Sequence, residues 1–263
     1  MQLDNQRHSM FVKSIFYGHI MKLEDKRIVL TGGTSGIGYE LLKLLYPKNE
    51  VIVIARNSTK LDELGMQNPS IIPKCCDLAN LKELEKLTNE IVTHYGKIDI
   101  LINNAAVQFT AKFTDDNFDW KTVPREVATN LTAPCCLTYW LLPALTASNS
   151  ARIVNINSGL ALTPKKCSAV YCATKSALDS FTRSLRYQLD ESNIGVQQIF
   201  FELVDTPMTS GRGRNKLSAT SAAKDVIHAI EAEILDHDIG KVKLLRFLLR
   251  LAPGFARRIL KNN

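Results

Sequence analysis

Short runs of aliphatic and β-branched residues recur along this chain, and stretches whose apolar positions return every three or four residues separate them. Arg27 to Thr31, Glu50 to Ala55, Ile71 to Cys76, Ile98 to Ile102, Ala151 to Ser158 and Gly195 to Phe201 read as strands. Between and after them, Tyr39 to Leu45, Leu81 to Tyr95, most of Thr122 to Ser148, a long segment that Thr163-Pro164 precedes and that runs to about Glu191, and Ser221 to Asp236 carry the helical period. Short apolar strands alternating with helices predict a parallel sheet with right-handed crossovers, so ligands are expected at the C-terminal ends of the strands.

Small polar clusters fall at those ends. Thr31-Gly32-Gly33-Thr34-Ser35-Gly36-Ile37-Gly38 follows the first strand and opens a helix. Glycines let backbone approach a pyrophosphate, and a helix N-terminus offers free N–H groups and the positive end of its dipole, so strand, glycine turn and helix together predict nucleotide binding. The second strand ends in Ala55-Arg56, where an NAD site usually carries an acid for the ribose 2′-hydroxyl. With no carboxylate there to repel a 2′-phosphate, NADP(H) is the expected cofactor and NAD(H) the lesser one; the competing reading of Arg56 is a solvated loop charge. Asp77-Leu78 follows the third strand, Asn103-Asn104-Ala105-Ala106 the fourth, and Ser158 ends the fifth. Asn130 stands among apolar neighbours in the following helical stretch, where a buried amide needs partners.

Tyr171 and Lys175 stand four residues apart in the long helix, on one face. An ammonium one turn away favours phenolate, so Lys175 is expected to lower the Tyr171 pKa and let the phenol trade a proton with an alcohol or carbonyl oxygen.

Length and composition leave room for this fold: 263 residues at 45% hydrophobic content suffice for one α/β domain. The six cysteines include two adjacent pairs and no C-x-x-C, which favours reduced, mostly buried thiols over a metal site or disulfides. Residues 1–20 have neither a long apolar core nor a cleavage signature; they are expected to be a disordered extension or to precede a true start at Met21.

Charge is uneven along the chain. The formal net charge is +7, and residues 241–263 hold seven Lys or Arg with no Asp or Glu, so the remaining chain sums to neutral. A basic tail on a neutral body argues against nucleic acid and for a local surface effect. Lys243, Arg246 and Arg250 recur at helical spacing among leucines and Phe247, before Pro253-Gly254 breaks the helix. Packing on the body or at a subunit interface is the preferred reading of this tail, and peripheral attachment to an anionic membrane the second. Glu202 to Lys216, with Arg212 and Arg214 among glycines, reads as a lid over substrate in preference to a mobile polar loop.

The ordered set T-G-x-x-x-G-I-G, N-N-A-A, an internal Asn, a Ser after a strand and Y-x-x-x-K resembles the short-chain dehydrogenase/reductases over about residues 22 to 240. Leu203 to Thr209, Gly211-Arg212-Gly213 and the ending Ile239 to Leu245 further resemble a bacterial subgroup, the DltE-like oxidoreductases. The resemblance implies a single doubly wound Rossmann domain, with a mainly parallel sheet of about seven strands and helices on both faces. It makes Tyr171 the acid/base, has Lys175 lower its pKa and bind the nicotinamide ribose, sets Ser158 on the reacting oxygen, and gives Asn130 a water of the proton relay. Gly32, Thr34, Ser35, Gly36, Ile37 and Gly38 fall at the pyrophosphate, Asp77 and Leu78 at adenine, Asn104 and Ala105 under the adenine ribose, and Val204 and Thr206 at the nicotinamide amide. Two departures stand out: Ala106 replaces a usual glycine, and Phe201-Glu202 replaces a common Pro-Gly. The expectation is a cytoplasmic oxidoreductase acting on a small carbonyl or alcohol, homo-oligomeric, with membrane contact through residues 241–263 as an option. The rival is a nucleotide-binding scaffold that lost turnover.

Overall fold

The computed structural model describes residues 21–261, so the expectations for residues 1–20 lie outside the described residues. Its centre is a seven-stranded sheet in which every pairing is parallel. In chain order the first elements are β1 (Arg27–Thr31), α1 (Gly36–Leu45), β2 (Glu50–Ala55), α2 (Ser58–Gln67), β3 (Ile71–Cys75), α3 (Leu81–Tyr95) and β4 (Ile100–Asn103). Then come α4 (Thr122–Val127), a π-helical turn (Ala128–Thr132), α5 (Ala133–Thr146), β5 (Ala151–Ser158), α6 (Ala169–Gln188) and β6 (Ile194–Phe201). The chain closes with the short strands β7 (Val204–Asp205) and β8 (Leu217–Ser218), α7 (Ala219–Glu231), β9 (Asp236–Asp238), α8 (Val242–Leu251) and α9 (Pro253–Lys261).

Sheet order is β3-β2-β1-β4-β5-β6-β9, so the direction of winding reverses between β1 and β4 and leaves a crevice at their C-terminal ends. The central strands are apolar throughout because both faces are covered. One core unites Ile28, Leu30, Val51 and Val53 with α1 and α7; the other unites Val29, Ile52, Ile54 and Leu101 with α3 and α5. Each such fully buried aliphatic side chain stabilises the fold by about 2 kcal/mol.

Several elements differ from the sequence expectation. The Thr122 to Ser148 stretch is interrupted by the π-helical turn, which widens the helix around Asn130. The helix expected to reach Asp236 ends at Glu231, since Glu233 turns into left-handed backbone at φ 53°. Beyond that turn lies the edge strand β9, too short and polar to show a strand period; Arg186 and Gln198 hold its Asp236 at 2.5 and 3.0 Å, and Arg246 holds its Asp238 at 2.6 Å. Finally, Pro253 ends one helix and begins another, because its missing N–H is harmless in a first turn.

All six cysteines are free; Cys76 and Cys172 are buried, Cys75 is exposed, and the other three lie between. Among the described residues no helix is long and apolar enough to cross a membrane.

Candidate active site

The crevice is a cavity of about 1220 Å³ that runs from the glycine turn, past the ends of β4 and β5, to the two C-terminal helices. At its first end, close approach explains Gly38: a Cβ there would lie 2.1 Å from the Gly32 carbonyl oxygen. The turn is buttressed from β4. The Asn104 amide donates to the Thr31 and Gly32 carbonyls at 2.9 and 3.2 Å, and the Thr31 hydroxyl accepts from the Asn104 and Ala105 backbone at 3.0 Å each. Ser35, the N-cap of α1, makes no capping bond through its side chain, and the first turn contains no acid. The N–H groups of Gly36, Ile37 and Gly38 therefore lack intrahelical partners while those residues line the cavity, an arrangement that suits an anion.

Arg56 is exposed, lines the same end and makes no ion pair among the described residues. The carboxylate nearby in the lining, Asp77, is already held by Arg125 at 2.9 Å. Leu78, Ala105, Val204 and Thr206 complete this half of the cavity. Donor set, free helix N-terminus and glycine backbone thus fit a dinucleotide with an extra phosphate near Arg56.

Ser158 ends β5 with its hydroxyl accepting from Leu160 N at 3.2 Å. Tyr171 and Lys175 lie one turn apart on α6, and all three line the cavity. The pair shares a face as its spacing predicts, but the ammonium does not govern the phenol as expected. Lys175 donates to the Ile156 carbonyl at 2.8 Å, with its ammonium 5.8 Å from the centre of the Tyr171 ring. Burial is the largest influence on the phenol and pushes it up to about 12; the neighbouring Ser158 hydroxyl and Arg212 pull the other way. Tyr171 is half-buried and lines the cavity, where the surrounding protein disfavours the charged phenolate. Lys175 is 3% exposed, and burial brings it down to about 8.

Asn130 does not line the cavity. Its amide oxygen accepts from Val107 N at 2.8 Å, and its nitrogen donates to Val107 O at 2.8 Å and to the Thr174 hydroxyl at 3.3 Å. Thr174 in turn donates to the Tyr171 carbonyl at 2.8 Å. Asn130 therefore ties the segment after β4 to the helix that carries the phenol.

Several residues here had no signal in the sequence. Gln108 bridges two walls, donating to the Ser168 hydroxyl at 3.1 Å and accepting from Arg212 at 2.8 Å. This ties the 202–216 segment, which carries β7 and leads into β8, to the Gln108 wall of the cavity. Glu126 is 2% exposed, accepts from Phe109 N at 3.1 Å and is pushed up to about 7 by burial. Both departures from the family pattern have local reasons. Ala106 keeps a negative φ, and Phe201 fills the core while Glu202 reaches the start of α8.

A short chain dehydrogenase family model matches residues 26–217. The chain is 36% identical to the uncharacterized oxidoreductase DltE of Bacillus subtilis, over 76% of this chain and 79% of that one. It is 32% identical to an uncharacterized oxidoreductase of Staphylococcus epidermidis, over 80% of this chain and 92% of that one. In fold it matches a short chain dehydrogenase of Burkholderia cenocepacia solved with NADP, at TM-score 0.83 and 22% identity, over 92% of this chain and all of that one. A short-chain dehydrogenase of Sphingobium yanoikuyae solved with NADPH matches at TM-score 0.76 and 20% identity, over 88% of this chain and 94% of that one.

Proposed function

The chain belongs to the short-chain dehydrogenase family, and from that premise we propose that it is an NADP(H)-dependent oxidoreductase interconverting a hydroxyl and a carbonyl group. The observation that carries the reading is the convergence of Ser158, Tyr171 and Lys175 on one cavity with the glycine turn.

The α1 N-terminus and the turn would hold the pyrophosphate, and Arg56 the 2′-phosphate. Asp77 and Leu78 would hold adenine, Asn104 and Ala105 the adenine ribose, Lys175 the nicotinamide ribose, and Val204 and Thr206 the amide. Two chains of the same fold solved with NADP and NADPH support the phosphate-bearing form. A dinucleotide bound there supplies hydride in one direction and accepts it in the other.

The protein manages the proton. Ser158 can donate to the substrate oxygen and fix it beside the phenol. With a pKa of about 12, Tyr171 is protonated throughout the neutral range, which suits it to hand a proton to a carbonyl oxygen as that oxygen gains charge. Lys175, brought down to about 8 by burial, gives up its proton more readily than a solvated lysine and can exchange one as the phenol changes state. Glu126 and Arg212 act on the phenol in opposite senses, the first raising and the second lowering it.

The test is Tyr171→Phe, which removes one oxygen from the cavity wall. Turnover of carbonyl substrates should fall by about 100-fold or more, while NADPH affinity, read by fluorescence titration, changes little. Unaltered turnover would overturn the assignment and favour a binding protein.

A further inference from the structure

We propose that the outer face of α8 and α9 is a docking surface for an anionic lipid bilayer, placed so that the mouth of the cavity opens at the lipid surface. The proposal goes beyond the oxidoreductase reading and does not depend on turnover.

The face is apolar and open. Leu244, Phe247, Leu251, Phe255 and Ile259 form a strip along both helices, each between 45% and 66% exposed. Large apolar side chains gathered in this way, rather than scattered singly, mark an interaction site. The strip cannot simply roll inward, because the pair is fastened from beneath. Val242 and Ala256 are 2% and 1% exposed, Arg246 binds Asp238 at 2.6 and 2.8 Å beside the Phe200 ring, and Lys166 N donates to Lys261 O at 2.9 Å.

Charge selects the occupant. Residues 241–263 contain no acid, and Lys243, Arg250, Arg257 and Arg258 make no ion pair among the described residues. Apolar residues flanked by uncompensated cations match the boundary between acyl chains and anionic headgroups. A second copy seated on the same strip by two-fold symmetry would bring these arginines against their own counterparts, a like-charge contact. A nucleic acid would pair with the cations but leave Phe247 and Phe255 in water. The helices are too short to span a bilayer, so the contact is peripheral.

The strip also continues into the cavity. Leu244 and Ile259 belong to both, and Leu245, Leu248 and Leu260 carry the apolar lining inward toward Ser158 and Tyr171. Whatever covers the strip therefore touches residues that also line the cavity. Removing the tail would dismantle that lining, so surface substitutions are the sounder test.

The experiment is co-sedimentation of the full chain with vesicles of phosphatidylcholine alone or equimolar with phosphatidylglycerol. The full chain should sediment with the anionic vesicles about tenfold more strongly than with neutral ones, and less so in high salt. Phe247→Ser/Leu251→Ser/Phe255→Ser should weaken this binding about tenfold or more, and Arg250→Gln/Arg257→Gln/Arg258→Gln should remove the preference for anionic lipid. Circular dichroism melting would check that each variant folds, and the charge variant leaves the apolar face intact if the first does not. Absence of binding to either vesicle, or unchanged binding by both variants, would overturn the proposal. So would a dimer of the unaltered chain that the apolar variant dissociates in sedimentation velocity, since the strip would then join two copies. Were the oxidoreductase reading to fail, no carbonyl would be turned over and the vesicle result would still stand.

Discussion

The Glu202 carboxylate occupies the space that a side chain on Gly240 would need. A Cβ at Gly240 would lie 1.8 Å from Glu202 Oε1, and the residue sits at φ +61°. The same carboxylate accepts from Lys241 N at 3.2 Å and pairs with the Lys241 ammonium at 3.3 Å. The end of β6, where Phe201 lies in register with Ser158, is thereby fastened to the start of α8.

Gly240→Ala should therefore cost about 1–2 kcal/mol for left-handed backbone alone, and more because the carboxylate must move. The expected result is a melting temperature lowered by a few degrees, with faster amide exchange across α8. In a Glu202→Ala background the steric part should vanish, so the double variant should lose less than the sum of the two single losses. Simple additivity would show that the two residues do not interact.

Asn130→Ala tests whether this amide is a structural tie. It would strand the Val107 N–H and carbonyl, at about 1–3 kcal/mol for each group left without a partner. A clear loss of stability, together with weaker NADPH binding, is expected from urea unfolding and fluorescence titration. A residue serving only as a relay would lower turnover and leave stability unmoved.

Arg56→Ala should weaken NADPH binding by about tenfold or more, as befits one lost charge-assisted contact, and leave NADH binding nearly unchanged. Paired titrations of the two dinucleotides measure this. Equal effects on both would make Arg56 a solvated loop charge.

The buried Lys175 makes stability depend on pH in a predictable direction. Its pKa is about 8 in the fold against 10.5 for a solvated lysine. Between those values the unfolded chain holds a proton that the folded chain has released, so stability climbs as pH rises through the window. Below about 8 the cost of burying the ammonium is fully present. Lys175→Met should lack this slope, and the stability gap between variant and unaltered chain should change by on the order of 2–3 kcal/mol across the window. Tyr171, raised to about 12, is common to both proteins and cancels in the comparison. Urea unfolding at the two ends of the window provides the measurement; parallel curves would contradict it.

The strands, the glycine turn and the Tyr171–Lys175 face were legible in the sequence because each is local. A run such as Val51-Ile52-Val53-Ile54 is apolar on both faces and belongs inside a covered sheet, and four residues of helix put two side chains on one side. β9 was not legible, since Asp236-His237-Asp238 is made a strand by β6 and by Arg186 and Arg246, which reach it through the fold rather than through any local pattern. The π-helical turn at Asn130 likewise leaves no mark in spacing.

Local pattern alone thus gives the parallel α/β order, the glycine turn between strand and helix, and the shared face of Tyr171 and Lys175. The tertiary arrangement supplies the rest: the direction of the Tyr171 pKa, the role of Asn130 as a tie to Val107, and the folding of a basic tail over the cavity. The reason is physical. Periodicity reports which residues of one segment share a face, whereas desolvation, hydrogen-bond partners and cavity walls depend on what other segments bring within a few ångströms. Lys175 stands one turn from Tyr171, as its spacing requires, but burial outweighs that neighbour on the phenol.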